Sequence, residues 1–303
     1  MLRRTGAALV AVALLLAVVH LTFRASVSYA LAYAPNGGGL GPGASRPLPL
    51  PCDATELRVA VGPPAATLSA WVLTPKTTQI QRQTVILLHG VRLDKSSMLA
   101  HARSFVAAGH RAVVVDLRGH GHSTGTHLTY GTREAQDVSQ LIDVLSKKHP
   151  EARFAVFGYS YGAAVAIRLG QIDPRISAVV SVAAFSSLRS VVTDYEKRYL
   201  PTAGRLIPDT WLDQAVGDAA ATAAFDPEDT PLAAVARART PMLLIHGLAD
   251  TQVSPEHARK LHAAARDHAE LVLLPRETHD SVLRDESGAI RAAAIAFLRR
   301  HSG

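Results

Sequence analysis

The chain has a single cysteine among 303 residues, Cys52, which excludes an intramolecular disulfide. It lies too far from the apolar N-terminal run to serve as a lipid-attachment cysteine and is read as a free thiol. No cysteine–histidine set carries zinc-site spacing. His120, His122 and His127 are close in sequence, but no carboxylate or cysteine completes them, and a turn ordered by glycines and polar side chains is the preferred reading. Nucleotide and flavin motifs are missing as well. Long basic runs are also absent: 32 Lys and Arg stand against 25 Asp and Glu, a net charge of +7 spread through the chain. That balance suits adhesion to an anionic surface and resembles no nucleic-acid module. Whatever chemistry the chain performs is therefore expected from ordinary side chains, with no cofactor, no metal and no nucleic acid.

The N-terminus is set apart from the rest. Arg3 and Arg4 precede residues 6–23, apolar apart from His20. That length approaches the ~20 residues that span a bilayer and exceeds a signal-peptide core of about 7–15. Residues 1–34 are thus expected to be a membrane anchor, with the basic pair cytoplasmic and everything after it outside. The competing reading is a signal peptide cut after Ala30 or Ala32, which would release a secreted or periplasmic protein. Residues 35–54 carry Gly37-Gly38-Gly39 and Pro47-Leu48-Pro49-Leu50-Pro51 and read as a tether. Residues 55–303 are long enough for one large α/β domain.

In that domain strand and helix patterns alternate. Strands are expected at 56–61, 68–73, 84–88, 112–116, 154–157, 176–182, 242–245 and 271–274. From residue 84 on, most are continuous apolar runs, as in parallel strands covered on both faces. Helices are expected at 96–108, 131–148, 163–169, 255–267 and 287–300. This order implies a doubly wound, mostly parallel sheet of about eight strands, with ligands at the carboxyl ends of its strands. The first two strands lack a crossover helix and should pair antiparallel. Residues 188–231 break the rhythm and hold Tyr195, Tyr199, Trp211 and Phe225.

The strand ends carry the informative residues. Arg153 to Phe157 reads as a strand and Gly162 to Gly170 as a helix; between them lies Gly158-Tyr159-Ser160-Tyr161-Gly162. A tight turn at such a junction strains the central residue and lifts its side chain clear of the sheet. A Cβ at Gly158 or Gly162 would collide with the neighbouring strand or helix. Ser160 then sits at a helix N-terminus, where backbone N–H groups stabilise negative charge. A serine nucleophile needs a base, and the base needs an acid to fix its tautomer. Asp250, just past the seventh strand, and His279, on a loop past the eighth, complete the order Ser, Asp, His. Asp116, Asp226, Asp229 and Asp280 are rival acids. His89-Gly90 after the third strand turns the Val91 amide toward the site, and His89 itself is read as structural.

Together, the His89-Gly90 turn, the segment Asp116 to Ser123 (D-x-R-G-H-G-x-S), Gly158 to Gly162, His246-Gly247-Leu248-Ala249-Asp250 and Thr278-His279-Asp280 resemble the α/β-hydrolase superfamily over residues 55–300. They are similar to bacterial serine hydrolases and to membrane-anchored α/β-hydrolase-domain proteins. The resemblance implies the α/β-hydrolase fold, with Ser160 as nucleophile, His279 as base and Asp250 as acid. It implies the Val91 and Tyr161 amides as the oxyanion hole, and a small helical cap over residues 188–231. Many relatives have Met after the nucleophile; Tyr161 bears on the acyl pocket, not on the amide. The expected function is hydrolysis of a small-molecule carboxylic ester or thioester through an acyl-enzyme. The alternatives are a serine peptidase on the same frame and a tethered binding protein without turnover. A serine nucleophile disfavours dehalogenase chemistry, which uses a carboxylate there. The pattern leaves the natural substrate and the oligomeric state open.

Overall fold

A computed structural model of the chain describes residues 2–36, 53–76, 83–202, 204 and 207–301. Most of the Gly/Pro stretch and Cys52 lie outside the described residues. Eight apolar segments form one sheet: β1 (Ala54–Val61), β2 (Ala66–Leu73), β3 (Gln83–Leu88), β4 (Arg111–Asp116), β5 (Arg153–Tyr159), β6 (Ile176–Val182), β7 (Met242–Gly247) and β8 (Ala269–Leu274). Their order is β1-β2-β4-β3-β5-β6-β7-β8. β1 pairs antiparallel with β2, and β2 with β4; every other pairing is parallel. The all-buried patterns of β3 and β7 explain their unbroken hydrophobicity, since both faces are covered.

Helices α2 (Leu99–Ala107), α3 (Thr132–Lys148), α4 (Tyr161–Ile172), α8 (Glu256–Ala265) and α10 (Ala289–Arg300) follow the sheet strands. One apolar cluster joins Ile86, Val113 and Val156 to Val138, Leu141 and Val165 of α3 and α4. A second joins Leu87, Val114 and Phe157 to Phe105 of α2 and Phe297 of α10. The sheet is thus sandwiched, and its chemistry is confined to the strand ends. Gly170 was expected to stop α4, yet the helix continues through it to Ile172. A Cβ there would lie 2.6 Å from Val179 Cγ2, so this glycine serves close helix–strand packing.

Between β6 and β7 stand α5 (Leu188–Tyr199), α6 (Asp209–Ala223) and α7 (Pro231–Arg237), filling the segment without strand rhythm. The N-terminal helix α1 runs over Leu2–Ala32, well past the apolar run at 6–23. It contains a 22-residue stretch, Ala11–Ala32, long and apolar enough to cross a membrane. Val12 to Val19 are exposed, but from His20 onward the helix is docked on α6. His20 stacks on Trp211 at 4.4 Å and Arg24 forks onto Asp218. The chain is also bonded where the expected tether begins: Ala34 N–H, just before it, donates to the Thr126 carbonyl (2.9 Å), and Asn36 Nδ2 to that of Gly121 (2.8 Å). The junction between helix and domain is therefore built, not slack, up to Asn36. Of the proposed cleavage residues, Ala30 is exposed and Ala32 is fully buried.

Candidate active site

The segments that follow β3, β5, β7 and β8 meet around Ser160. β5 ends at Tyr159 and α4 begins at Tyr161, leaving Ser160 alone at the turn with φ 52° and ψ −111°. For a side chain with a Cβ this positive φ costs about 1–3 kcal/mol, which the surrounding packing holds in place. The two flanking glycines make the turn possible. A Cβ on Gly158 would stand 2.2 Å from the Gly162 carbonyl oxygen, and one on Gly162 2.3 Å from that of Leu88.

His279 was expected on a loop; it is the first residue of the short helix α9 (His279–Arg284). Thr278 caps this helix, its Oγ1 accepting from Ser281 N–H while its own N–H donates to Ser281 Oγ (2.7 Å). Tyr159 Oη donates to the His279 carbonyl (3.0 Å) and so ties the helix start to the end of β5. The imidazole bridges the two other residues: Nδ1 lies 2.7 Å from Asp250 Oδ2 and Nε2 lies 3.0 Å from Ser160 Oγ. A carboxylate only accepts, so Nδ1 carries the proton and Nε2 is left to take one from the serine.

Asp250 is held as tightly. Its Oδ1 accepts from the Gln252 and Val253 amides (2.9 and 2.8 Å), while His246 Nε2 stands 3.3 Å from Oδ2. Burial by itself raises the carboxyl pKa. The hydrogen bonds from His246 and His279 and that of the Val253 amide outweigh it and hold Asp250 well below the usual carboxylate range. The rival acids are engaged elsewhere: Asp229 with Arg168 and Arg237, Asp226 in its own turn, and Asp280 one residue along α9.

Asp116 belongs to a buried hub. It accepts from Lys95 N–H (2.7 Å), Lys95 Nζ and His122 N–H (2.9 Å), and Lys95 Nζ also donates to Ser69 Oγ (3.1 Å). His89 is fully buried; its Nε2 accepts from Leu117 N–H (3.0 Å) and its Nδ1 donates to the Gly90 carbonyl (2.8 Å). Both contacts pin the loop that carries Val91. The Asp116–Ser123 segment is thus scaffold, with Arg118 bidentate on buried Asp137 and Ser123 Oγ on the Asp116 carbonyl. The three neighbouring histidines are dispersed: His120 is buried, its pKa lowered to about 3 by desolvation, and His127 packs on Tyr33.

Ser160, Tyr161 and Val91 line one cavity of about 340 Å³. Tyr161 opens α4, so its amide is among those without a partner inside the helix. Its ring is buried against Tyr130 and His120. Of the four cap aromatics, Tyr195 and Tyr199 line the cavity, whereas Trp211 packs on α1 and Phe225 on Tyr130.

Sequence reasoning missed a second Ser–His–Asp row. Ser186 Oγ lies 2.8 Å from His257 Nδ1, and His257 Nε2 lies 3.0 Å from Asp194 Oδ2. Here Nδ1 also accepts from Ser186 N–H (3.0 Å), and Ser186 is buried outside the cavity. This row ties α5 to α8. Its sequence carries no glycine-flanked turn that could have flagged it.

The family model described as serine aminopeptidase, S33, matches residues 79–227, and one described as TAP-like protein matches residues 210–302. Esterase Pf2001 of Pyrococcus furiosus superposes with a TM-score of 0.66 at 21% identity, over 82% of this chain and 92% of that one. The chain belongs to the α/β-hydrolase superfamily. This α/β-hydrolase is also similar to the uncharacterized protein YfhR of Escherichia coli O157:H7, 27% identical over 71% of this chain and 69% of that protein. A shorter match, 30% over 113 residues, links 37% of the α/β-hydrolase to 32% of epoxide hydrolase B of Mycobacterium tuberculosis. The chain is an enzyme of the hydrolase class.

Proposed function

We propose that the chain is a serine esterase acting on carboxylic esters or thioesters, with Ser160 as nucleophile, His279 as base and Asp250 as acid. The observation that carries this is the hydrogen-bonded row from Ser160 Oγ through His279 to Asp250, opening on the cavity at the head of α4. Ser160 Oγ bonds to the acyl carbon as its proton passes to His279 Nε2. The alkoxide or thiolate then leaves with that proton, and water repeats the sequence to free the acid. The Val91 and Tyr161 amides stabilise the oxyanion. Asp250 keeps the proton on Nδ1 and stabilises the imidazolium. Support for ester over peptide substrates comes from the cavity wall. Among the described residues lining it, Arg92 is the only charged side chain, whereas a free peptide amine calls for a carboxylate.

α1 is proposed as an uncleaved anchor, with residues 55–303 as the catalytic domain outside the cytoplasmic membrane. Protease added to intact spheroplasts should digest the domain, and protection there would refute this topology. The substrate class is tested with p-nitrophenyl esters of rising chain length beside aminoacyl p-nitroanilides, with and without chelator. Ester turnover insensitive to chelation is expected. A preference for the aminoacyl amides would turn the assignment to a peptidase.

A further inference from the structure

α1 does more than lead up to the domain. Ala30 and Leu31, in its last turn, line the same cavity as Ser160. That turn is fixed by the body: Tyr130 Oη donates to the Leu31 carbonyl (2.9 Å) and Leu128 N–H to that of Ala32 (2.9 Å). Further back, Phe23 and Leu31 join the apolar cluster of Leu188, Val191 and Leu212 in the cap. α5 lines the same cavity through Leu188, Val191, Tyr195 and Tyr199. Two helices far apart in the chain, α1 and α5, thus contribute apolar side chains to one space that Ser160 also lines. Ala30 lines this space while remaining exposed, so its methyl stands at the mouth.

We propose that the last turn of α1 is an acyl-binding element: Ala30 and Leu31 form the wall against which the acyl chain of a single-chain ester lies, with α5 lining the same space. The inference rests on Ser160 as the nucleophile. It makes the N-terminal helix a determinant of acyl specificity in addition to its anchoring. Each methylene that still meets this wall should raise kcat/KM by up to about fourfold, until the space is full.

The test uses the full chain in nanodiscs and p-nitrophenyl esters from acetyl to palmitoyl. Ala30→Trp, at an exposed position, should move the optimum to shorter acyl chains. It should cut kcat/KM for the longest good substrate by at least about tenfold more than for the acetyl ester. Ser26→Trp, exposed one turn earlier on the same helix, should reproduce the wild-type profile. A second readout does not depend on turnover: a diazirine-bearing fatty acid should crosslink to the peptide holding Ala30 and Leu31. An unchanged profile in Ala30→Trp, or crosslinks confined to other surfaces, overturns the proposal. If Ser160 is not labelled by a fluorophosphonate, the nucleophile assignment has failed instead, and the crosslinks still decide the wall.

Discussion

Replacing Asp250 by Asn removes one charge and should nearly silence the site, for a reason visible in the hydrogen bonds. Asp250 Oδ1 accepts from the Gln252 and Val253 amides. An Asn must keep its oxygen there, because an NH₂ group would face two donors. The NH₂ is therefore forced into the Oδ2 position, 2.7 Å from His279 Nδ1. Facing that donor, the imidazole has to accept at Nδ1 and carry its proton on Nε2, toward Ser160 Oγ. The base is then present in the wrong tautomer. A loss of about 10⁴-fold is expected, equivalent to about 5.4 kcal/mol. The second-order rate of fluorophosphonate labelling measures it without knowledge of the natural substrate. His279→Ala/Asp250→Asn should label little slower than His279→Ala, since the acid acts only through the base. A loss below about tenfold for Asp250→Asn, or losses that multiply in the double variant, would refute the tautomer argument.

Three further outcomes follow from the same structure. Gly162→Ala drives a Cβ against the Leu88 carbonyl and should cost about 1–3 kcal/mol or more in a denaturant melt, whereas Gly217→Ala, with open space around it in α6, should stabilise by about 0.5–1 kcal/mol. Lys95→Met and Asp116→Asn each strand a fully buried charge and should each cost about 3–5 kcal/mol, while the double variant should cost clearly less than their sum in urea unfolding. Asp250 has a depressed folded pKa, so its stabilising contribution is complete above the unfolded value of about 3.9 and is lost as pH falls toward the folded value. The stability gap between wild type and Asp250→Asn should therefore stay level above about pH 5 and narrow below about pH 4, as read by unfolding midpoints across that range.

The parts of this fold that could be read from the chain are those where one physical pressure dominates. Burial on both faces left β3, β5 and β7 as largely apolar runs, and all eight strands stand at the eight segments expected of them. Ser160 announced itself because only glycines fit at 158 and 162. The chain order Ser, Asp, His, after β5, β7 and β8, pointed to three residues that the fold joins in one hydrogen-bonded row through His279. What escaped depends on contacts between distant segments. The docking of α1 on α6 rests on pairs such as Arg24 with Asp218 and His20 with Trp211, which no local pattern signals. The helical start at His279 is set by Thr278 and Ser281 capping each other, a four-residue signal within a polar stretch. Nothing in the local sequence marks Lys95 as buried; its ammonium lies over the Trp71 ring and beside Asp116, which makes it part of the core.

The central claim is that Ser160 is the residue that becomes acylated. Intact-mass and peptide mapping after brief reaction with a fluorophosphonate test it directly. The account predicts one adduct per chain, on the peptide holding Gly158 to Gly162, and none in Ser160→Ala. An adduct on Ser186, or hydrolysis that survives Ser160→Ala, would contradict it.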